Sequence, residues 1–171
     1  SYLATTVTAS PIETIQAVEN LGKLVPQETG GARILGLHLE GPFISQEKRG
    51  VHPPEHIRPP STRIFDELVK MSNDQVSLIT VAPEVPGGLD FIQHIRSKGV
   101  LVSLGHSNAT VEVARQAIQA GASNATHTFN AMRDFSHRQP GVLGAVFTDS
   151  TVWAELIADG AHVDPVAIQM L

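Results

Sequence analysis

The sequence predicts an α/β fold with a parallel sheet, because strand-like and helix-like segments alternate along nearly the whole chain. The chain has 171 residues, of which 42% are hydrophobic and 17% charged, so it can form one sizeable core and is too apolar to be disordered. Six strands separated by helices fit either an open doubly wound sheet or three quarters of a (β/α)8 barrel, which needs about 250 residues.

Local signals define the first strand and the first helix. Residues 1–8 are largely β-branched and lack a helical period, which predicts a strand. Ser10 and Glu13 then form a capping box, and Pro11 suits the first helical position. The expected apolar face of this helix consists of Ile12, Ile15, Val18 and Leu21.

The middle of the chain repeats the alternation. Strands are predicted at residues 34–39, 76–81 and 100–104. A long, proline-rich loop covers residues 42–60, after which Ser61 caps a helix. A helix over residues 89–95 ends at Gly99.

The last third contains further elements of the same kind. These are a helix over 111–118 that ends at Gly121, a short strand at 124–126, a loop at 128–142, a strand at 152–157 and a helix from Asp164 onward. The first strand has no element before it and the last helix stops in mid-pattern. We therefore expect the chain to be part of a larger domain.

Composition limits the expected partners. The formal net charge is −5, and no block of basic residues is present, so we expect neither nucleic acid nor a membrane surface as a partner. No apolar run approaches the roughly 18 residues that span a bilayer. The chain has no cysteine, which excludes thiol catalysis and is compatible with a reducing, cytoplasmic location.

Chemically active residues collect where predicted strands end. Glu40, His106 and His127 each follow a strand directly, as do Asp159 and His162. The carboxyl ends of parallel strands lie on one side of a sheet, where α/β folds place their ligands. Two imidazoles and one carboxylate can hold a catalytic divalent metal that activates water for hydrolysis. The alternative for each His is an ordinary hydrogen-bonded residue.

Other polar residues have simpler interpretations. His38 lies two positions before Glu40 on the same strand face, and we expect a hydrogen-bonded interior residue there rather than a ligand. His56 and His94 are expected at the surface. Arg138 is either a solvated charge in a loop or a residue whose planar guanidinium binds phosphate or carboxylate.

Six short runs occur in order along the chain. They are residues 38–43, 48–53, 81–84, 105–109, 125–132 and 157–164. Together they resemble the N-acetylglucosamine-6-phosphate deacetylases, a family of the amidohydrolase superfamily, over essentially the whole sequence. The resemblance implies a TIM-type (β/α)8 barrel, of which residues 1–171 would form about six βα units. The flanking barrel units and a small β-domain would lie outside this chain.

The resemblance also implies roles for single residues. The matched metal ligands are Glu40, His106 and His127, and the matched substrate-binding residues are Val51, His52, Asn130, Ala131, Arg138 and His162. His52 would polarise the acetamide carbonyl, and Arg138 would hold the sugar phosphate. In the family's arrangement, Arg138 serves a neighbouring subunit, so we expect a homodimer or larger homo-oligomer. Zn is the first choice of metal, with Fe, Mn and Co as alternatives.

The implied reaction is hydrolysis of N-acetyl-D-glucosamine 6-phosphate to D-glucosamine 6-phosphate and acetate, a step of amino-sugar metabolism. A metal-activated water would be the nucleophile. The family's general acid–base Asp lies outside this chain, and Asp159 matches a different strand. The alternatives are an amidohydrolase that acts on a cyclic amide or amine, and a non-catalytic protein that binds sugar phosphates.

Overall fold

The computed structural model describes residues 1–25, 27–28 and 30–171. Within them, six parallel strands form one sheet: β1 (Tyr2–Val7), β2 (Ile34–Glu40), β3 (Val76–Val81), β4 (Leu101–Leu104), β5 (Asn124–Ala125) and β6 (Trp153–Ala154). The helices are α1 (Pro11–Leu24), α2 (Thr62–Met71), α3 (Gly88–Ser97), α4 (Val111–Ala120), α5 (Gly141–Thr148) and α6 (Pro165–Ile168). In this described part of the chain, none of the helices is long and apolar enough to cross a membrane.

The order of the strands decides between the two predicted architectures. The strands neighbour one another in the order in which they occur along the chain, and every pair is parallel. A doubly wound sheet reverses its strand order at a switch point, whereas a barrel does not. The sheet is a curled half-barrel, which confirms the predicted TIM-type α/β fold.

Several local predictions are confirmed. The Ser10 hydroxyl accepts the backbone N–H of Glu13, and the Glu13 carboxylate accepts the backbone N–H of Ser10, which completes the capping box. Ser61 caps α2, and Gly121 ends α4 in the left-handed conformation. The long loop after β2 contains a short 3₁₀ turn at Pro54–His56.

Three details differ from the prediction. Helix α5 was not expected, because its sequence GVLGAVFT is apolar on all sides and shows no amphipathic period. Strand β6 has two residues instead of the predicted six. Among the described residues it pairs only with β5, which is itself two residues long. Ile12 is 70% exposed, because it lies about 120° around the helix axis from the buried Val18.

The core lies between the outer face of the sheet and the helices. Its largest buried side chains are Phe43, Phe65, Leu37, Leu39, Ile79, Ile92, Ile95 and Leu104. The Phe91 ring packs edge-to-face against Phe43 at 4.7 Å and against Phe65 at 5.9 Å between ring centroids. Phe43 lies three residues after Glu40, so this aromatic cluster anchors the start of the loop that follows β2.

Gly22 provides a stability test of this packing. A Cβ atom at Gly22 would lie 2.3 Å from the backbone carbonyl oxygen of Ser72. We expect Gly22→Ala to lower the melting temperature of the intact protein, because a backbone atom cannot move aside as a side chain can. The free-energy cost of this clash should exceed the gain of about 1 kcal/mol that Ala brings in helix propensity.

Asn20→Ala on the exposed side of α1 is the matched control. It should leave the melting temperature unchanged or raise it, because Ala is the better helix former. A Gly22→Ala protein that melts at or above the wild-type temperature would contradict the close contact with Ser72.

Candidate metal centre

The ends of three strands bring together one carboxylate and two imidazoles. Oε1 of Glu40 lies 2.8 Å from Nε2 of His106 and 3.0 Å from Nε2 of His127. The two imidazole nitrogens are 3.1 Å apart. The structure thus assembles the three residues that were predicted to share a site, although His127 is 87 positions away from Glu40.

Backbone geometry at the strand ends supports this arrangement. His106 and His127 have φ angles of +46° and +30°, in the left-handed region that side-chain-bearing residues rarely adopt. Gly105 directly precedes His106. A Cβ atom at Gly105 would lie 2.8 Å from Cβ of Thr126, so a residue with a side chain does not fit at this position. Residues held in such conformations cluster at functional sites, where the surroundings determine their conformation.

The hydrogen bonds of His106 suit a metal ligand. Its Nδ1 lies 2.9 Å from the backbone carbonyl oxygen of Lys48. A carbonyl oxygen can only accept, so Nδ1 carries the hydrogen and Nε2 of the neutral ring presents a lone pair to the site. A backbone carbonyl on the far nitrogen is a usual way to orient a metal-ligating histidine.

The charges of the site are compatible with a bound cation. Burial alone would raise the pKa of Glu40, but the adjacent imidazoles of His106, His127 and His52 hold it well below its usual range. Burial would lower the pKa of His127, yet the hydrogen bond and charge of Glu40 raise it above its usual value. The carboxylate therefore stays ionised and attracts positive charge.

The three donor atoms lie close enough together to share one cation. Ligand atoms at about 2.0–2.2 Å from a tetrahedral zinc ion are roughly 3.3–3.6 Å apart. The observed separations of 2.8–3.1 Å are slightly shorter than this spacing. Two imidazole nitrogens and a carboxylate oxygen fit a divalent cation.

His52 reaches the same site from the long loop after β2. Its Nε2 lies 3.3 Å from Nε2 of His106 and 3.6 Å from Oε1 of Glu40, and its side chain is buried. Its Nδ1 accepts the backbone N–H of Thr8 at 3.2 Å. The hydrogen of neutral His52 must therefore lie on Nε2, where it faces the site as a hydrogen-bond donor.

The remaining predicted residues differ in their distance from this centre. Val51 is 91% exposed beside His52. Asn130 lies in the loop after His127, where its buried Nδ2 finds no hydrogen-bond partner among the described residues. Ala131, with a φ of +51°, accepts the backbone N–H of Ser107.

Arg138 and His162 stand apart from the three candidate ligands. Within the described residues, neither forms a hydrogen bond or ion pair with Glu40, His106 or His127. Arg138 is exposed. Nδ1 of His162 lies 2.7 Å from the Asp159 carboxylate, whose pKa is lowered to about 2 by hydrogen bonds from the backbone and side chain of His162 and from the backbone of Ala161.

Two expectations about other histidines need correction. His94 is only partly exposed and is hydrogen-bonded to Asp66 of α2 at 2.8 Å, so it links two helices. His56 is also partly buried, and its Nδ1 is shielded from solvent. The surroundings of both residues come from distant segments, which is why their local sequence suggested the surface.

A row of hydrogen bonds crosses the inner face of the sheet and includes His38. The confirmed interior role of His38 rests on contacts with Thr5 at 3.3 Å and Thr80 at 2.8 Å. Thr80 bonds to Thr126 at 2.8 Å, and Thr126 donates to Ser103 at 2.6 Å. Polar residues at alternate positions of apolar strands are the sequence signal for this row.

The donors of this row can be assigned because each hydroxyl has a single hydrogen. Thr126 donates to Ser103, so Thr80 must donate to Thr126. Nε2–H of His38 then donates to Thr80, and its Nδ1 accepts from Thr5. Burial lowers the pKa of His38 to about 4, which keeps the ring neutral as this assignment requires.

Glu155 is an acidic group near the centre that the sequence did not indicate. Burial raises the pKa of its carboxyl, while hydrogen bonds from Asn124 and Ser103 act in the other direction. Its backbone N–H donates to Ala125 and its carbonyl accepts from Thr128, so it lies beside the His127 loop. The residue follows a strand of only two residues, which left its inward position undefined in the sequence.

Comparison with known proteins identifies the class of protein. Residues 4–171 match the model of the amidohydrolase family, and the chain belongs to that family, which is metal-dependent. The chain is 41% identical to the N-acetylgalactosamine-6-phosphate deacetylase of Escherichia coli O157:H7 over 171 residues. It is 40% identical to the N-acetylglucosamine-6-phosphate deacetylase of Lysinibacillus sphaericus over 170 residues. These matches cover 99% of this chain and 45% and 44% of the relatives.

Solved structures show the same likeness. An Asp-to-Ala mutant of N-acetyl-D-glucosamine-6-phosphate deacetylase from Mycobacterium smegmatis, in complex with N-acetyl-D-glucosamine-6-phosphate, superposes with a TM-score of 0.91 at 38% identity. The enzyme from Pasteurella multocida gives 0.88 at 43% identity. The matches cover 98% and 99% of this chain, and 43% and 44% of the solved chains. The chain thus spans less than half the length of the relatives it matches.

Metal analysis tests the centre directly. His106→Ala and His127→Ala in the intact protein should each remove most of the bound metal, because a three-ligand site has no spare ligand. His94→Ala, which alters a histidine between α2 and α3, should retain it. Stoichiometric metal in both ligand variants, measured by elemental analysis after dialysis, would refute the assignment.

Proposed function

We propose that the protein containing this chain hydrolyses N-acetyl-D-glucosamine 6-phosphate to D-glucosamine 6-phosphate and acetate. The proposal rests on the convergence of Glu40, His106 and His127 at the carboxyl ends of the strands, where His52 joins them from the loop after β2. This is where barrel enzymes carry their active sites. The names of the relatives from Lysinibacillus sphaericus and Mycobacterium smegmatis support the choice of reaction.

Residues 1–171 would form the central part of the barrel, with further barrel units and a small β-domain outside this chain. The exposed apolar side chains at both edges of the sheet support this proposal. Val7 of β1 is 56% exposed and Trp153 of β6 is 76% exposed. Unpaired strand edges with apolar side chains are normally covered in a native protein.

Each residue of the centre has a proposed task. Glu40, His106 and His127 would hold a divalent cation, which when bound supplies an activated water and polarises the acetamide carbonyl. Zn²⁺ suits this donor set best, and Fe, Mn and Co are alternatives. Nε2–H of His52 would donate to the carbonyl oxygen as negative charge develops on it. The proton of the attacking water would pass to an Asp outside this chain.

The substrate's phosphate needs a cationic partner. Arg138 is exposed, and its guanidinium forms no ion pair with any residue that the structure describes, which leaves it available for a phosphate. We propose that it acts across the interface of a homodimer or larger homo-oligomer. His162, Val51, Ala131 and the unpaired amide nitrogen of Asn130 would contact the sugar. A cytoplasmic location is part of the proposal, and a chain without cysteine is compatible with it.

A second candidate substrate is N-acetylgalactosamine 6-phosphate. The relative from Escherichia coli O157:H7 named for that substrate is 41% identical to this chain. The two sugars differ only in the configuration at C4, away from the amide. Comparing kcat/KM for acetate release from each phosphosugar decides between them, and no acetate from either would refute the deacetylase proposal.

A variant of His52 tests whether substrate activation can be separated from metal binding. We expect His52→Ala to retain the metal and to lower kcat by about 10²–10³, because one donor to the developing oxyanion is lost. Metal content and acetate release are measured on the same preparation of intact protein. Loss of the metal together with activity would show that His52 is a ligand, and full activity would show that it is neither.

Arg138 is tested by comparing a phosphorylated substrate with an unphosphorylated one. Arg138→Ala should lower kcat/KM for the 6-phosphate at least about tenfold more than for plain N-acetylglucosamine, since a charge-assisted bidentate contact is lost. Arg138→Lys keeps the positive charge but not the planar guanidinium, so its kcat/KM for the 6-phosphate should lie between those of wild type and Arg138→Ala. Equal losses for both sugars would contradict a phosphate role.

A further inference from the structure

The turn that carries His106 is held by a carboxylate from a neighbouring strand end. We propose that this residue, Glu84, is a positioning residue that sets the geometry of the metal ligand His106. The inference rests on the proposed metal centre and adds to it a residue that does not itself reach the site.

Glu84 holds the two residues that directly follow His106. Its Oε2 accepts the hydroxyl of Ser107 at 2.8 Å, and its Oε1 accepts the backbone N–H of Asn108 at 2.5 Å. Both oxygens of one carboxylate therefore bind the same short turn. Charge-assisted bonds of this type are about twice as strong as bonds between neutral groups.

The turn needs such a restraint because of its backbone conformation. His106 has a φ of +46°, which a residue with a side chain keeps only where its surroundings enforce it. Outside the metal centre, two contacts hold His106: its carbonyl accepts the backbone N–H of Ser45, and its Nδ1–H donates to the backbone carbonyl of Lys48. Glu84 binds the two residues that follow His106, so the backbone is also held on the C-terminal side of this ligand.

Ser107, which Glu84 binds, also contacts the loop that carries the second histidine ligand, His127. Ser107 is fully buried, donates its backbone N–H to the carbonyl of Ala131 and accepts the backbone N–H of Arg133. The Arg133 side chain also donates to the carbonyl of Asn108 at 2.8 Å. Ala131 has a φ of +51° and lies four residues after His127. By fixing Ser107, Glu84 holds the two ligand-bearing loops together.

A purely structural role and a positioning role predict different results. If Glu84 only stabilises the turn, its loss lowers the melting temperature and leaves the metal site of the folded protein unchanged. If Glu84 positions His106, its loss weakens metal binding and alters the coordination geometry. Partners that orient metal ligands typically contribute about 10–100-fold to metal affinity.

The experiment measures metal binding by the intact protein without reference to activity. Zn²⁺ affinity is determined by competition with a chelator, and the coordination geometry from the visible absorption of the Co²⁺-substituted protein. We expect Glu84→Ala to weaken Zn²⁺ binding about 10–100-fold and to shift the Co²⁺ spectrum. Glu84→Gln keeps one acceptor oxygen and should weaken binding less.

Gly22→Ala is the control for loss of stability, because Gly22 packs against Ser72 and does not contact the ligand turns. It should lower the melting temperature without changing either metal measurement. Wild-type affinity and spectrum in Glu84→Ala, or changes no larger than those of Gly22→Ala, would overturn the inference. If Glu84→Ala does not fold, Glu84→Gln is the deciding variant, and a Zn²⁺ affinity and Co²⁺ spectrum equal to those of wild type overturn the inference.

Failure of the proposed function gives a different result. If the wild-type protein binds Zn²⁺ but releases no acetate from either phosphosugar, the deacetylase proposal fails and the Glu84 measurements still stand. If the wild-type protein binds neither Zn²⁺ nor Co²⁺ with stoichiometric affinity, the metal centre and this inference are both refuted. Metal binding by wild type with no effect of Glu84 would remove the inference alone.

Discussion

Three imidazole nitrogens surround one carboxylate oxygen, Oε1 of Glu40, at 2.8, 3.0 and 3.6 Å. A carboxylate that is largely removed from water is costly unless it is neutralised and hydrogen-bonded. The three imidazoles are its polar partners in this buried place, and the carboxylate brings together rings from three distant segments. The half-barrel makes the arrangement feasible, because parallel strands deliver their carboxyl ends to a single side.

The polar row across the sheet extends this organisation below the centre. Each hydroxyl in it has one hydrogen, so a single donor assignment, Thr126 to Ser103, determines the direction of the bonds back to Thr80 and His38. Satisfied networks of this type favour one arrangement of a core, because any partial rearrangement leaves a buried polar group without a partner. The neutral state of His38 follows from burial and from this network together.

The loops that carry the ligands differ from the strands in what stabilises them. The strands and helices are held by apolar burial, as the packing of Phe43, Phe65 and Phe91 shows. The ligand turns have left-handed residues and depend on specific polar contacts from Lys48, Ser45 and Glu84. Functional side chains on loops held by a rigid scaffold are common in α/β proteins.

The sequence by itself determined the alternation of strands and helices, the caps at Ser10 and Ser61, and the strand ends that carry Glu40, His106 and His127. These features depend on residues within a few positions of one another. The tertiary structure alone decided that α5 forms from an apolar segment without a helical period, and that Glu84 reaches the His106 turn. It also decided which ring nitrogen of neutral His52 carries the hydrogen, because the other nitrogen accepts the backbone N–H of Thr8, 44 positions away. Local propensity cannot encode such a contact, since its partner is brought close only when the sheet has formed.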